Sequence, residues 1–220
     1  MAPSITSPQV QTLLDTLYAD AATNDPAVRQ AALAARMTQH TEMEFFTAMR
    51  LAYLPVSRQF GNLLYALARG ARARTIVEFG TSFGLSTIFL AAALRDNGEG
   101  TVITTEFEPG KAERARANLA AAGLDQYVEI RLGDARETLR TELPQGIDLL
   151  LLDGAKGMYL EVLKLVEPGI RPGGIVASDN TDHDGLGPFL AHVRGAGYLS
   201  SAILTAGRQR GMGHEVSIRI

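Results

Sequence analysis

Cysteine is missing from all 220 residues. Disulfides, thiolate nucleophiles and cysteine-rich zinc or iron–sulfur centres are therefore excluded together. An excess of one charge is missing too: 21 Lys and Arg stand against 24 Asp and Glu, a net −3 at pH 7, mixed along the chain. With no basic face for a polyanion, nucleic acid is not expected as substrate or partner. No apolar run approaches the roughly 18 residues that a membrane span needs. The opening MAPSITSPQVQTLLDTLYAD also lacks a basic region followed by an apolar core. A cytoplasmic protein with no membrane partner is the expectation. What is present suffices for a core: 46% of residues are hydrophobic and mean hydropathy is near zero, which suits one α/β domain with an N-terminal extension.

The organising stretch is RTIVEFGTSFGLS, Arg74 to Ser86. Thr75, Ile76, Val77 and Phe79 enclose Glu78 and read as a buried strand ending at Gly80. Gly80 and Gly84 bracket a tight turn, and Ser86 to Leu94 opens an apolar helix. Such a turn lets a ligand approach the backbone, with free N–H groups at the helix start facing it. A carboxylate near the end of a buried strand is costly unless paired, so Glu78 is expected to face the crevice at the strand's carboxyl edge. The spacing is E-x-G-x-x-x-G rather than the G-x-G-x-x-G that grips a pyrophosphate, which argues for a ligand without phosphates and against a NAD-dependent oxidoreductase.

Upstream, Ser7-Pro8 and Asp25-Pro26 read as two helix starts, the second opening a stretch through Leu33, Met37 and Met43 to about Met49. Pro55 breaks the chain, and Gly61 to Gly70 resumes as a helix. Residues 1–70 thus form a helical extension whose methionines and aromatics pack on the core or a partner subunit, or serve as a substrate lid. Residues 71–220 alternate strand and helix. Strands are expected at Thr101–Glu106, Val128–Leu132, Ile147–Asp153 and Gly174–Ser178, with helices at Lys111–Ala122, Ala135–Leu143, Tyr159–Val166 and Leu186–Arg194. Leu199–Leu204 and His214–Ile220 close the chain as two strands with no helix between them, free to pair antiparallel. The fold class is α/β, a Rossmann-like, mostly parallel seven-stranded sheet with an antiparallel last strand.

In this architecture chemistry gathers at the strands' carboxyl ends. Glu106 ends the second strand, where a carboxylate can accept from both ribose hydroxyls of a nucleoside or simply be solvated. Asp134 follows the third, able to accept an adenine amino group or to cap the next helix. The fourth strand runs into Asp153-Gly-Ala-Lys156-Gly-Met-Tyr159 and the fifth into Asp179-Asn180. Asp153, Asp179 and Asn180 offer only oxygen ligands, which suits a hard cation such as Mg²⁺. Lys156 can reach the same centre, and a nearby cation favours its neutral, proton-accepting form. Read blandly, these are cap and turn residues beside a surface lysine.

Taken together, the residues resemble the cation-dependent small-molecule O-methyltransferases of class I, the group containing catechol and caffeoyl-CoA O-methyltransferases. The family's D-x-x-K-x-x-Y is similar to Asp153, Lys156 and Tyr159, and its D-N element to Asp179-Asn180. The glycine turn and both nucleoside acids match in order, and Pro188 to Arg194 resembles a helix of the catechol enzyme. The resemblance covers roughly residues 55 to 220. It implies S-adenosylmethionine as cofactor: N–H groups of the Gly80 turn and Ser86 on its methionine part, Glu106 on the ribose, Asp134 and Ala135 on the adenine, with Glu78, Gly84 and Asp153 completing the set. It implies Mg²⁺, or another hard divalent cation, on Asp153, Asp179 and Asn180, with Lys156 as catalytic base for methylation of a vicinal-dihydroxy aromatic molecule. It implies a homodimer as well.

The chain departs from the family pattern at three places. Leu85 stands where an aromatic is usual. Arg208, Gln209 and Arg210 occupy the loop in which the catechol enzyme carries an acidic substrate-orienting residue; they are solvated charges or contacts to an anionic substrate. His183 is plain surface or an extra contact at the crevice mouth. The alternatives are a metal-independent methyltransferase of the same fold and a non-catalytic nucleoside-binding module.

Overall fold

The run around Glu78 becomes the strand on which the sheet turns. In the computed structural model, which describes residues 3–36, 42–140, 142–204 and 213–220, the strands are β1 (Thr75–Phe79), β2 (Thr101–Glu106), β3 (Val128–Leu132), β4 (Ile147–Leu152), β5 (Ile170–Ser178), β6 (Tyr198–Leu204) and β7 (Gly213–Arg219). They form one sheet in the order β3-β2-β1-β4-β5-β7-β6. Only β7 runs against its neighbours. The chain builds outward from β1 to β3 and then returns to place β4 on the other side of β1, so a crevice opens at that reversal.

The helices are α1 (Pro8–Arg36), α2 (Glu42–Ala48), α3 (Arg58–Gly70), α4 (Leu85–Asn97), α5 (Pro109–Ala122), α6 (Ala135–Thr138), α7 (Tyr159–Val166) and α8 (Gly187–Val193). Strand alternation divides the core into two layers. Ile76, Leu149, Leu151 and Ala177 pack with α1, α3 and α4. Val77, Leu150, Leu152 and Val176 point to the other face, onto Tyr159, Val162 and Leu163 of α7 and Phe189 of α8. Every residue of α4 from Leu85 to Leu94 is buried, as expected for a helix apolar all round. A Cβ on Gly61 would lie 2.5 Å from the Phe89 ring, so glycine lets α3 sit directly on α4.

Three expectations change. The proline at position 26 starts no new helix, because α1 runs through it. Asp25 instead accepts hydrogen bonds from the backbone N–H groups of Tyr53 and Leu54, each at 2.8 Å. Leu54 is held there at φ +48°, a left-handed conformation costly for a branched side chain. The helix expected to reach Leu143 ends at Thr138, and β5 starts earlier, at Ile170. The pairing of β5 with β4 shifts register between Ile147 and Leu149, which absorbs Pro172 and Gly173 as a bulge. Met37 and the loop residues Arg208, Gln209 and Arg210 lie outside the described residues. Met49 is buried and shares a small cluster with Ala32, Ala52 and the partly buried Phe45.

The Asp25 contact gives a test of how the extension is tied to the core. Asp25→Ala strips two N–H groups, one of them buried, of a charged acceptor, at about 1–3 kcal/mol each. Urea unfolding should show a loss of about 3 kcal/mol, and an unchanged midpoint would show that the 53–54 backbone is held by packing alone.

Candidate active site

The glycine turn is anchored on both sides. Gly80 has φ +108°, and a Cβ there would lie 2.7 Å from Gly154 N and 2.8 Å from Asp153 C and O. Only glycine permits the turn to lie against the end of β4. The N–H groups of Gly80 and Thr81 donate to Thr105 O at 3.3 and 3.1 Å, and Ser82 N donates to Glu106 Oε2 at 2.8 Å. The Gly80 N–H is thus committed within the fold, and what the turn contributes to a ligand is its close approach. Gly84, at φ +85°, caps α4 and would touch Ala115 Cβ at 3.4 Å if it bore a Cβ.

Glu78 does not face the crevice. Strand alternation turns it to the Ile76 face, under the start of α4, where it is 0% exposed. Its two oxygens accept from Ser86 Oγ and Thr87 Oγ1, each at 2.6 Å. Burial pushes the carboxyl up from its ordinary range, opposed by the hydroxyls of Ser86, Thr104 and Thr87. In this arrangement Glu78 fixes the first turn of α4 through Ser86 and Thr87.

Glu106 is oriented from two sides, by Ser82 N on Oε2 and by Glu108 N on Oε1 at 2.9 Å. Burial raises its pKa, while the Glu108 N–H and the Lys111 charge work against that. Lys111, which sequence reasoning did not single out, is buried and donates to Ser82 Oγ at 3.1 Å. Beside Glu106, Phe107 and Leu132 remain 47% and 46% exposed, two apolar surfaces at the ends of β2 and β3. Asp134 caps α6 by accepting from Arg136 N at 2.9 Å and also pairs with the Arg136 guanidinium at 2.5 Å. That pairing holds its carboxyl below the ordinary range. Ala135 is buried next to it.

The second half of the site forms where β4 and β5 end. Asp153 N bonds Phe79 O and Asp179 N bonds Leu152 O, each at 2.9 Å, so ladder pairing carries both acids out side by side. Lys156 Nζ donates to Asp153 Oδ1 at 3.1 Å and to Tyr159 OH at 2.8 Å. The buried Tyr159 hydroxyl in turn donates to Asp179 O at 3.0 Å. Asn180 takes φ +52°, a conformation asparagine tolerates, and its N–H donates to Asp179 Oδ1 at 2.8 Å. His214 Nδ1, on β7, lies 2.7 Å from the same Oδ1. His183 is exposed.

The donor set suits a hard cation. Burial pushes the Asp153 carboxyl up to about 8; Lys156 counters this and the Asp179 charge adds to it. The two carboxyl groups lie at adjoining strand ends with the Lys156 ammonium on Asp153, and a bound divalent cation would favour the ionised, ligating form of Asp153 against its burial. Oδ2 of Asp153 and of Asp179 has no hydrogen-bond partner among the described residues. Among those residues no three acidic or histidine side chains cluster at metal-binding distance, so the set is two carboxylates and one amide. A cleft of about 690 Å³, lined by Asp20, Arg50, Tyr53, Phe83, Glu108 and Arg114 among others, borders the glycine turn at Phe83 and includes neither acid. Asp153, Lys156 and Asp179 lie instead at the ends of β4 and β5, which makes those strand ends the candidate site.

Comparison with known proteins agrees with this geometry. The methyltransferase domain family matches residues 77–181, from β1 through Asp179 and Asn180. A catechol O-methyltransferase of Mycobacterium tuberculosis is 34% identical over 196 residues, covering 89% of this chain and 76% of that protein. A catechol O-methyltransferase of Niastella koreensis is 36% identical over 135 residues, but the match covers only 60% of each chain. The crystal structure of the Streptomyces achromogenes O-methyltransferase involved in tomaymycin synthesis, in complex with S-adenosylmethionine, is similar with a TM-score of 0.68 at 29% identity, covering 88% of this chain and 89% of that one. With its sheet order, its glycine turn and a relative of this likeness along most of its length, the chain belongs to the class I S-adenosylmethionine-dependent O-methyltransferases.

Proposed function

We propose that this chain methylates one hydroxyl of a vicinal-dihydroxy, catechol-like aromatic small molecule, using S-adenosylmethionine as donor and Mg²⁺ or another hard divalent cation held by Asp153, Asp179 and Asn180. The observation that carries the reading is the placement of Asp153, Lys156, Asp179 and Asn180 together at the adjoining ends of β4 and β5, against the glycine turn. The relatives named catechol O-methyltransferase support the acceptor class.

On this reading the chain's residues mainly position reactants. Glu106, fixed by two N–H groups, keeps lone pairs for ribose hydroxyls, and Phe107 and Leu132 offer apolar faces to the adenine, with Asp134 and Ala135 at its edge. Lys156 Nζ, steered by Asp153 and Tyr159, accepts the acceptor hydroxyl's proton in its neutral form. When bound, the cation supplies a Lewis acid that lowers the pKa of a neighbouring hydroxyl. Methyl transfer from a sulfonium to an oxyanion dissipates charge, so excluding water favours it.

A metal-independent reading rests on one observation, that Lys156 already sits 3.1 Å from Asp153 as its counter-charge. Calorimetry separates the two. S-adenosylmethionine should bind wild type and Asp179→Ala alike, with Mg²⁺ or with EDTA. A dihydroxybenzoate should bind only with metal and intact Asp179, weakened by at least about 100-fold otherwise, more than an outer-shell loss. Binding and turnover that ignore EDTA would leave the metal-independent reading in place.

A further inference from the structure

His214 is a buried polar group that the reaction above does not use. It is the second residue of β7, 2% exposed. Its ring lies face to face with Phe60 of α3, centroids 4.0 Å apart and planes 7° from parallel. Phe60 is itself fully buried, so the imidazole cannot swing away. Its Nδ1 meets Asp179 Oδ1 at 2.7 Å, and the Asn180 N–H reaches that same oxygen at 2.8 Å. Tyr159 OH holds the Asp179 carbonyl from below. The contact is at ion-pair distance without the angle of a formed hydrogen bond; it is attractive when Nδ1 carries the proton, which favours that tautomer and biases the carboxylate's rotation.

We infer that His214, clamped by Phe60, is a positioning residue that fixes the Asp179 carboxylate with Oδ1 occupied and Oδ2 left for a divalent cation, and so sets the site's metal affinity. This rests on the metal-dependent reading. It gives α3 of the N-terminal extension a role in the site: it holds the ring that holds the ligand. An aspartate that rotates freely loses part of its binding energy to ordering, and removal of such an outer partner costs about 10–100-fold in metal affinity.

The test is a titration with Mn²⁺ alone, followed by the free-ion electron paramagnetic resonance signal, on wild type, His214→Leu and His214→Asn. Circular dichroism and S-adenosylhomocysteine affinity monitor the fold. Leucine keeps the apolar contact with Phe60 but has no donor, and should weaken Mn²⁺ by about 10–100-fold. Asparagine restores an amide donor near the Nδ1 position and should recover most of that loss. S-adenosylhomocysteine affinity should be the same in all three. If the leucine variant does not fold, His214→Gln, which carries its donor one bond farther out, takes its place with the same expected loss. Wild-type Mn²⁺ affinity in the leucine variant, or equal losses in both variants, overturns the inference while leaving the metal reading intact. No Mn²⁺ binding by wild type overturns both.

Discussion

Lys156→Ala is expected to lower kcat for a vicinal-dihydroxy aromatic acceptor by about 10²–10⁴-fold, the usual worth of a positioned general base. Lys156 is the one basic side chain among the described residues that bridges Asp153 and Tyr159, so no neighbour is placed to substitute. S-adenosylmethionine affinity, which the reading assigns mainly to the glycine turn and the ends of β2 and β3, should change little. Lys156→Arg separates base from charge. A guanidinium keeps the positive charge next to Asp153 but does not give up its proton, so the arginine variant should be as slow as the alanine one. Single-turnover rates with saturating cofactor make the comparison, and an active arginine variant would reassign Lys156 to electrostatic positioning.

Gly80→Ala should cost a large share of the molecule's stability. At φ +108° an L-residue is strained, at about 1–3 kcal/mol. The new Cβ would also lie 2.7–2.8 Å from backbone atoms of Gly154 and Asp153. Those atoms cannot rotate away as a side chain would, which adds about 1–3 kcal/mol of overpacking. A loss of about 4 kcal/mol is expected, against a total of about 5–15 kcal/mol for a natural domain. Gly98 is the control, since it has a similar φ of +102° but nothing within 4 Å of a built Cβ. Gly98→Ala should therefore lose only the strain component, and urea unfolding of the two variants isolates the contact with β4. Equal losses would mean that the end of β4 yields to the methyl group.

Much of this molecule is local in origin. Apolar runs such as Leu149 to Leu152 and the β-branched Thr101 to Thr105 become strands within a residue or two of where they are read, because a doubly covered parallel strand must be apolar on both faces. The placement of the candidate site's acids at strand ends is legible for the same reason. Polar residues arriving directly after such runs, Glu106, Asp153 and Asp179, have nowhere to go but the open strand ends. The Asp25-Pro26 pair misled because a cap and a proline are local signals. The carboxylate there has a partner 28 residues away in Tyr53, and tertiary hydrogen bonding outweighs the preference for a helix start.

What the sequence by itself determined is the set of elements, the glycine turn and the chemistry delivered to the carboxyl edge. Tertiary structure alone decided which way each polar group points. Glu78 turns under α4 rather than into the crevice, because Ser86 and Thr87 meet it on the Ile76 face. Lys111 is buried beside the Glu106 turn, and His214, from β7, closes on Asp179 beneath Phe60. These are pairings between residues many positions apart, and periodicity carries no information about them. A side chain's charge and size are written in its own residue, but the partner that satisfies it when buried exists only once the sheet has brought distant strands together.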